Sequence, residues 1–345
     1  CIQCKRNPAA SFIVLCADSI RDYPHRDNLI RLHNRVRKGF NLPERPPQSS
    51  GGLSCNLCAN HCRIDEVETG YCGIRINRDG TLLNRAGPES LFAHTYLDAL
   101  PTNCCASWFC RGSQESGYSL AVFLYGCSFD CLYCQNAEHK YVQSAPAIGV
   151  DELVQEALQS SVRCVCFFGG SPEPQLPTVL EAARRILSES GDGKHICWEW
   201  NGSGNTQLVL RAAELSMRSG GTMKFDLKAF NSNIHHALCG AANTQTLANF
   251  KVVEENFPGC DMLTATTLLV PSYVDEQEVA SIASFIANLD PEIPYSLLVF
   301  HPDFYLDDLP ITPGKQVSSC YDAAEQYLKR VNIGNTKFII NRIKS

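Results

Sequence analysis

The chain has 345 residues, 44% hydrophobic and 19% charged, with a formal net charge of −6; this excludes a disordered chain, a collagen-like repeat and a small disulfide scaffold. No apolar run reaches the roughly 18 residues of a membrane span and no secretory leader is read, so the expected setting is the cytoplasm, with no membrane partner. There, 19 cysteines point to thiolate metal ligands rather than disulfides. The acidic balance supplies no field for nucleic acid. The one basic stretch, residues 1–50 with nine Lys/Arg against four Asp/Glu, is a docking surface at most.

In chain order, the first signal is a thiol group, Cys1-x2-Cys4-x11-Cys16. It offers three ligands to a zinc ion. Ser19 stands where a fourth cysteine would complete the site, and His25 is the substitute. Residues 27–40 read as one helix, with Asp27 as cap, an apolar stripe of Leu29, Leu32, Val36 and Phe40, and a solvated face of Arg31, Arg35 and Lys38. Pro43, Pro46, Pro47 and residues 48–52 form a linker. A second thiol group follows, Cys55-x2-Cys58-x3-Cys62-x9-Cys72. Its four ligands suit either a structural zinc or a fully ligated iron–sulfur cluster, and spacing does not choose between them. Cys104, Cys105 and Cys110 come next; they are auxiliary ligands, a substrate gate or inert buried thiols.

From Ser119 onward, β-rich runs alternate with amphipathic helical stretches, which predicts a parallel sheet of βα units. The predicted strands are 120–125, 163–168, 194–200, 222–227, 262–270, 296–300 and 337–340. Between them, helical periodicity marks Leu153 to Leu158, Leu176 to Leu187 and Val279 to Ile286, the last opened by Asp275 and Glu278. About six units fall short of a full barrel. The fold class is therefore α/β, a partial (β/α)6-like TIM barrel with a Cys-rich N-terminal region. The expected divisions are a Cys-bearing basic helical segment (1–50), a Cys-rich metal-binding segment (51–115) and the partial barrel (116–345).

The central constellation is Cys127-x3-Cys131-x2-Cys134, on the loop after the first barrel strand. Three thiolates can hold three corners of a cuboidal iron–sulfur cluster, and without a fourth cysteine nearby one iron keeps a corner for an exogenous ligand. Barrel enzymes gather such ligands at the carboxyl ends of their strands. Further along, Gly169 and Gly170 end a strand and permit close backbone approach. Alternation sets Cys197, Glu199 and Asn201 on one face and Ile196, Trp198 and Trp200 on the other; it likewise separates Lys224, Asp226 and Lys228 from Met223, Phe225 and Leu227. Polar groups facing a barrel interior must pair with one another or meet a ligand. Cys164, Cys166, Cys239, Cys260 and Cys320 read as small core residues.

The cysteine spacing, with Cys134-Gln-Asn136, Phe168-Gly-Gly-Ser-Pro172, Asp226-Leu-Lys228 and Phe300-His-Pro302, resembles the radical S-adenosylmethionine (radical SAM) superfamily. Within it, the likeness is to pyruvate formate-lyase activating-enzyme-like and AmmeMemoRadiSam-type proteins, over about Cys55 to Asn335. The resemblance implies a [4Fe-4S] cluster on Cys127, Cys131 and Cys134 and S-adenosylmethionine (SAM) chelated at the open iron. It implies cleavage of SAM to methionine and a 5′-deoxyadenosyl radical that abstracts hydrogen, fed by an electron donor of flavodoxin or ferredoxin type. It places Tyr133 against adenine, the loop of Gly169, Gly170 and Ser171 at the methionyl amine, Asp226 and Lys228 near ribose and carboxylate, Glu199 and Asn201 in the third-strand region, and His301 at SAM. The chain departs from the pattern at Ser171, which replaces an acidic residue with Glu173 two places on, and at Trp200, which replaces a threonine. The activating enzymes' extra clusters follow the first strand, whereas no cysteine stands between Cys134 and Asp151 here. The expected substrate is a protein or peptide hydrogen donor. The alternatives are a small metabolite or, from another class, an iron–sulfur electron carrier or zinc-dependent binding protein.

Overall fold

The structure is a computed structural model that describes residues 1–22, 26–101 and 104–338; His25 and residues 339–345 lie outside this set. In chain order the elements are α1 (Ala17–Asp22), α2 (Arg26–Gly39), β1 (Leu53–Ser54), β2 (Arg63–Ile64), β3 (Arg75–Arg78), β4 (Thr81–Asn84), β5 (Ser90–Ala99), β6 (Tyr118–Leu124), β7 (Ala147–Gly149), α3 (Val150–Ala157), β8 (Val162–Gly169) and α4 (Leu176–Ser190). Then follow β9 (His195–Trp200), α5 (Thr206–Ser219), β10 (Met223–Asp226), α6 (Ser232–Cys239), α7 (Thr244–Asn256), β11 (Leu263–Leu269), α8 (Glu276–Ala287), β12 (Tyr295–Val299), α9 (Gly314–Glu325) and β13 (Val331–Gly334).

One sheet organises the chain, in the order β13-β12-β11-β10-β9-β8-β6-β5-β7. From β6 to β13 every pairing is parallel, as βα crossovers require. Among the described residues, seven parallel strands in an open order make the expected partial barrel. The sheet also reaches upstream of residue 116, because β5 pairs antiparallel with β6 from Ala93↔Leu124 to Ala99↔Tyr118. β1–β2 and β3–β4 form two separate two-stranded sheets.

Helix ends follow local chemistry. The Asn205 side chain accepts from the N–H groups of Gln207 and Leu208 at the start of α5, and Asp275 accepts from Glu278 N–H at the start of α8. The expected alternation holds, and it divides the sheet into two unlike faces. Outward-facing aromatics form a continuous row: Phe167 stacks on Trp198 at 5.0 Å, Trp198 on Trp200 at 5.7 Å, and Phe225 meets Trp200 at 5.5 Å and Phe250 of α7 at 5.3 Å. The Trp198 indole N–H donates to Ala212 O of α5 at 3.1 Å, so a large aromatic is buried without an orphaned donor.

Two expectations are corrected. The last strand is Val331–Gly334, not 337–340. Pairing of Tyr295 with Val331 through Leu298 with Gly334 continues the ladder on β12, a register that the greater apolarity of Phe338 and its neighbours does not reveal; residues 339 and 340 lie outside the described set. Asp27 lies within the first turn of α2 rather than ahead of it. Arg31, Arg35 and Lys38 are exposed as expected, but the opposite face of α2 buries His33 and Arg37 along with the apolar stripe.

Candidate active site

At the carboxyl ends of the parallel strands lies a cavity of about 820 Å³, within the range of small-molecule sites. Cys127, Cys131 and Cys134 line it together with Tyr133, Gly169, Gly170, Glu199, Asn201, Asp226, Lys228 and His301. Of the barrel residues that the resemblance places at SAM, only Ser171 lies behind the wall: it is fully buried, and its hydroxyl accepts from Asn201 N–H at 3.2 Å.

The cysteine loop leaves β6 through Gly126, whose φ is +80°; a Cβ there would lie 2.4 Å from the Ile74 side chain and 3.0 Å from Cys72 O, so no side chain fits. A Cβ on Gly170 would come within 2.1 Å of Gly126 O. The two glycine turns are therefore packed backbone to backbone, with Gly170 N–H donating to Leu124 O at 2.8 Å and Ser171 N–H to Gly126 O at 3.2 Å. The close approach at Gly170 thus serves the chain's own cysteine loop as well as the cavity.

Behind the loop sits a buried charge cluster that the sequence did not advertise. Asp130 is fully buried; it receives Lys140 Nζ at 2.5 Å and His33 Nδ1 at 2.9 Å, with Arg37 at 3.7 Å. Arg37 also donates to Tyr71 O and lies over the Tyr71 ring at 3.4 Å. Burial alone would raise the Asp130 carboxyl, but Lys140, His33 and Arg37 outweigh it and keep it well below the usual range. The loop backbone is tied to the end of α6 as well, Asp130 N–H to Cys239 O at 2.8 Å and Leu132 N–H to Leu238 O at 2.9 Å.

The sulfurs sit among donors. Phe129 N–H points at Cys127 Sγ at 3.3 Å, and the Asn201 amide donates to the same sulfur at 3.6 Å and to Ser128 Oγ at 2.9 Å. Burial pushes the Cys134 thiol up to about 11 and Cys127 higher still. The neighbouring Cys239 thiol, with Lys228 and Lys140 nearby, draws Cys131 down to about 7. Three cysteines on one wall with inward N–H donors suit a thiolate-held cluster, since N–H···S bonds and nearby cations stabilise sulfur that carries negative charge.

The opposite wall carries a charged ladder. Lys224 meets Glu199 at 3.0 Å and Asp226 at 3.5 Å, Lys228 meets Asp226 at 3.0 Å, and the Thr266 hydroxyl donates to Asp226 at 2.6 Å. Despite burial, the two ammonium groups hold the Asp226 carboxyl well below the carboxylate range. Both readings of these polar strand faces are thus realised together: the groups pair with one another, and they face the cavity. His301 rests against Phe338 at 4.6 Å with Nδ1 3.3 Å from Pro302 O. The Tyr133 hydroxyl contacts Cys239 Sγ at 3.6 Å.

Residues 121–286 match the family model of the Radical SAM superfamily. The chain contains a radical SAM domain. A protein of Methanocaldococcus jannaschii named only as uncharacterized is 25% identical over 297 residues, 82% of this chain and 81% of its own. A second protein from that organism, named provisionally as a glycyl-radical enzyme activating enzyme, is 26% identical over 61% of this chain and 79% of its own. The isethionate sulfite-lyase activating enzyme of Desulfovibrio desulfuricans is 40% identical over 78 residues, 22% of this chain and 24% of that enzyme. Radical SAM proteins use a [4Fe-4S] cluster and SAM, and the donor set of the radical SAM domain here fits both. No helix among the described residues is long and apolar enough to cross a membrane.

The second thiol group docks onto this domain. Ala59 N–H donates to Ser203 O at 2.9 Å, the Asn60 amide to Ser128 O at 2.8 Å, and Asn205 N–H to Leu57 O at 2.9 Å. Burial pushes Cys62 up to about 12 and raises Cys58 and Cys72, and each of these thiols is raised further by its neighbours in the group. The thiols of the group are thus near enough to act on one another's ionisation. Cys104 and Cys105 line the main cavity. Cys104, Cys110, Cys164, Cys166 and Cys197 also border an adjoining chamber of about 120 Å³, a gathering of thiols from three separate segments that no local spacing announces.

Proposed function

We propose that Cys127, Cys131 and Cys134 hold a [4Fe-4S] cluster beside a SAM site and that this chain is an activase-like enzyme abstracting hydrogen from a protein or peptide. The observation that carries this reading is the convergence, from separate strand ends on one cavity, of three thiols, a glycine pair and a ladder of Glu199, Lys224, Asp226 and Lys228. When bound, the cluster and SAM supply a 5′-deoxyadenosyl radical. The chain's own residues position and enclose. Asp226, fixed by Lys224, Lys228 and Thr266, keeps a carboxylate oriented for hydroxyl groups. Lys228 offers N–H donors to a carboxylate, and Asn201 orients Cys127 through its amide. Tyr133 contributes a buried ring to the cavity lining, and His301 a half-buried imidazole.

Two observations support a macromolecular hydrogen donor: the sheet is open, and two relatives are named as activating enzymes. The test uses the full chain, reconstituted anaerobically with iron and sulfide, reduced, and mixed with SAM and purified isethionate sulfite-lyase as probe partner. The reading expects 5′-deoxyadenosine and a matching organic radical on the partner by electron paramagnetic resonance. SAM cleavage stimulated by a low-molecular-mass extract, with no radical or mass change in the protein partner, would favour a small metabolite instead.

A further inference from the structure

Among the described residues, the group of three metal-ligating side chains whose donor atoms all converge within 4.8 Å of one another is Cys1, Cys4 and Cys16. Cys4 Sγ and Cys16 Sγ are 3.6 Å apart. The Ser19 hydroxyl oxygen stands 3.4 Å from Cys1 Sγ and 3.3 Å from Cys16 Sγ. Asn7 N–H is aimed at Cys4 Sγ at 3.4 Å, a donor to a sulfur that bears charge.

These edges can be set against a metal-centred tetrahedron. Zinc bound to thiolate at about 2.3 Å and to oxygen at about 2.0 Å gives sulfur–sulfur edges of about 3.8 Å and sulfur–oxygen edges of about 3.5 Å. The observed 3.6 Å, 3.4 Å and 3.3 Å match both edge types. A cuboidal cluster spreads its thiolates over several irons and so holds them farther apart than a single ion does. We infer that Cys1, Cys4 and Cys16 bind one zinc-class divalent cation, with Ser19 Oγ at the fourth corner. The inference is independent of the activase reading.

The position gives the ion a structural task. The loop it closes is seated on Tyr273, whose hydroxyl accepts from Ala10 N–H at 3.0 Å and donates to Leu15 O at 2.9 Å. From α1, Arg21 reaches Asp275 at 2.8 Å and Glu278 at 3.4 Å. Glu278 in turn accepts from Phe230 and Asn231 N–H at the start of α6, the helix whose last residues hydrogen-bond the cluster loop. The ion thus staples the N-terminal segment to the outer helices that back the cavity, and its binding free energy becomes part of the folding free energy of that segment.

The test measures zinc and iron per chain by plasma mass spectrometry in the full-length protein purified anaerobically, with Cys4→Ala, Ser19→Ala and Ser19→Cys alongside. The expected result is about one more zinc per chain in the parent than in Cys4→Ala, with iron unchanged. In Ser19→Cys, release of the ion to a chelator should slow by at least about tenfold, since a thiolate replaces a weak hydroxyl ligand; in Ser19→Ala release should quicken. The Ser19→Cys comparison keeps the test informative if Cys4→Ala fails to fold. Zinc absent from the parent, a zinc content that Cys4→Ala leaves unchanged, or release that Ser19→Cys leaves unchanged would each overturn the site.

Discussion

Two loops of this chain each gather three cysteines, and they gather them differently. The sulfurs of Cys1, Cys4 and Cys16 close to within 4.8 Å with Cys16 buried and the other two half-buried, on a short loop anchored by a buried tyrosine hydroxyl. Those of Cys127, Cys131 and Cys134 are not among the trios that converge so tightly in the described residues; they share the wall of a cavity, on a loop braced by a buried charge cluster and two glycine turns. Sequence spacing alone does not separate the two groups; their arrangement in space does. The site proposed for chemistry is also the one whose support is expensive: a buried aspartate with three cationic or imidazole partners.

That contrast can be broken first at the ligands. Cys131→Ala should remove about four irons per chain and abolish formation of 5′-deoxyadenosine, while Cys4→Ala should leave cleavage within about twofold; iron, sulfide and nucleoside analysis reads both. Next comes the brace. Asp130→Asn strips the charge that compensates Lys140 and Arg37 and should cost about 3–5 kcal/mol in anaerobic denaturant unfolding, whereas substitutions in the exposed row of Arg31 and Lys38 should stay within about 0.5 kcal/mol.

A third prediction is one of pH. Burial pushes the Glu173 carboxyl up to about 7; the Ser171 hydroxyl and the backbone N–H groups of Gly202 and Ser203 offset this in part, without completing a hydrogen bond to either oxygen. Its folded value lies above the ordinary 4.5, so folding favours the protonated form. The stability it contributes is complete below about 4.5 and is lost as pH rises towards 7, by an amount on the order of 3 kcal/mol. Glu173→Gln should remove this slope and stabilise the protein at about pH 8 more than at about pH 5; equal effects at both would contradict it. Smallest is Gly170→Ala, expected to cost about 1–3 kcal/mol as Gly126 is pushed aside, read as a shift in the unfolding midpoint.

Much of this is legible in the residues. Six of the seven parallel strands follow from alternation and apolar runs, and the polar faces of β9 and β10 point to the cavity because period-two patterning survives in a sheet read strand by strand. The final strand is not, because register on β12, not apolarity, selects Val331–Gly334. Asp130, Lys140, His33 and Arg37 are invisible as a set: charged residues on a helix read as solvated, and nothing local reveals that α2 packs its other face against the cluster loop. The thiol chamber of Cys110, Cys164 and Cys197 escapes a reading of spacing for the same reason, since its members lie on different segments. Cysteine spacing carries the proposed ligand trio because those three residues share one loop.

The central claim is that Cys127, Cys131 and Cys134 leave one corner of an iron–sulfur cluster for SAM. Electron paramagnetic resonance of the reduced, reconstituted full chain, recorded with and without SAM, tests it most directly. The account predicts a cluster signal whose g values shift when SAM is added and which disappears in Cys131→Ala along with that response. A signal identical in both conditions, or a SAM response that persists in Cys131→Ala, would contradict it.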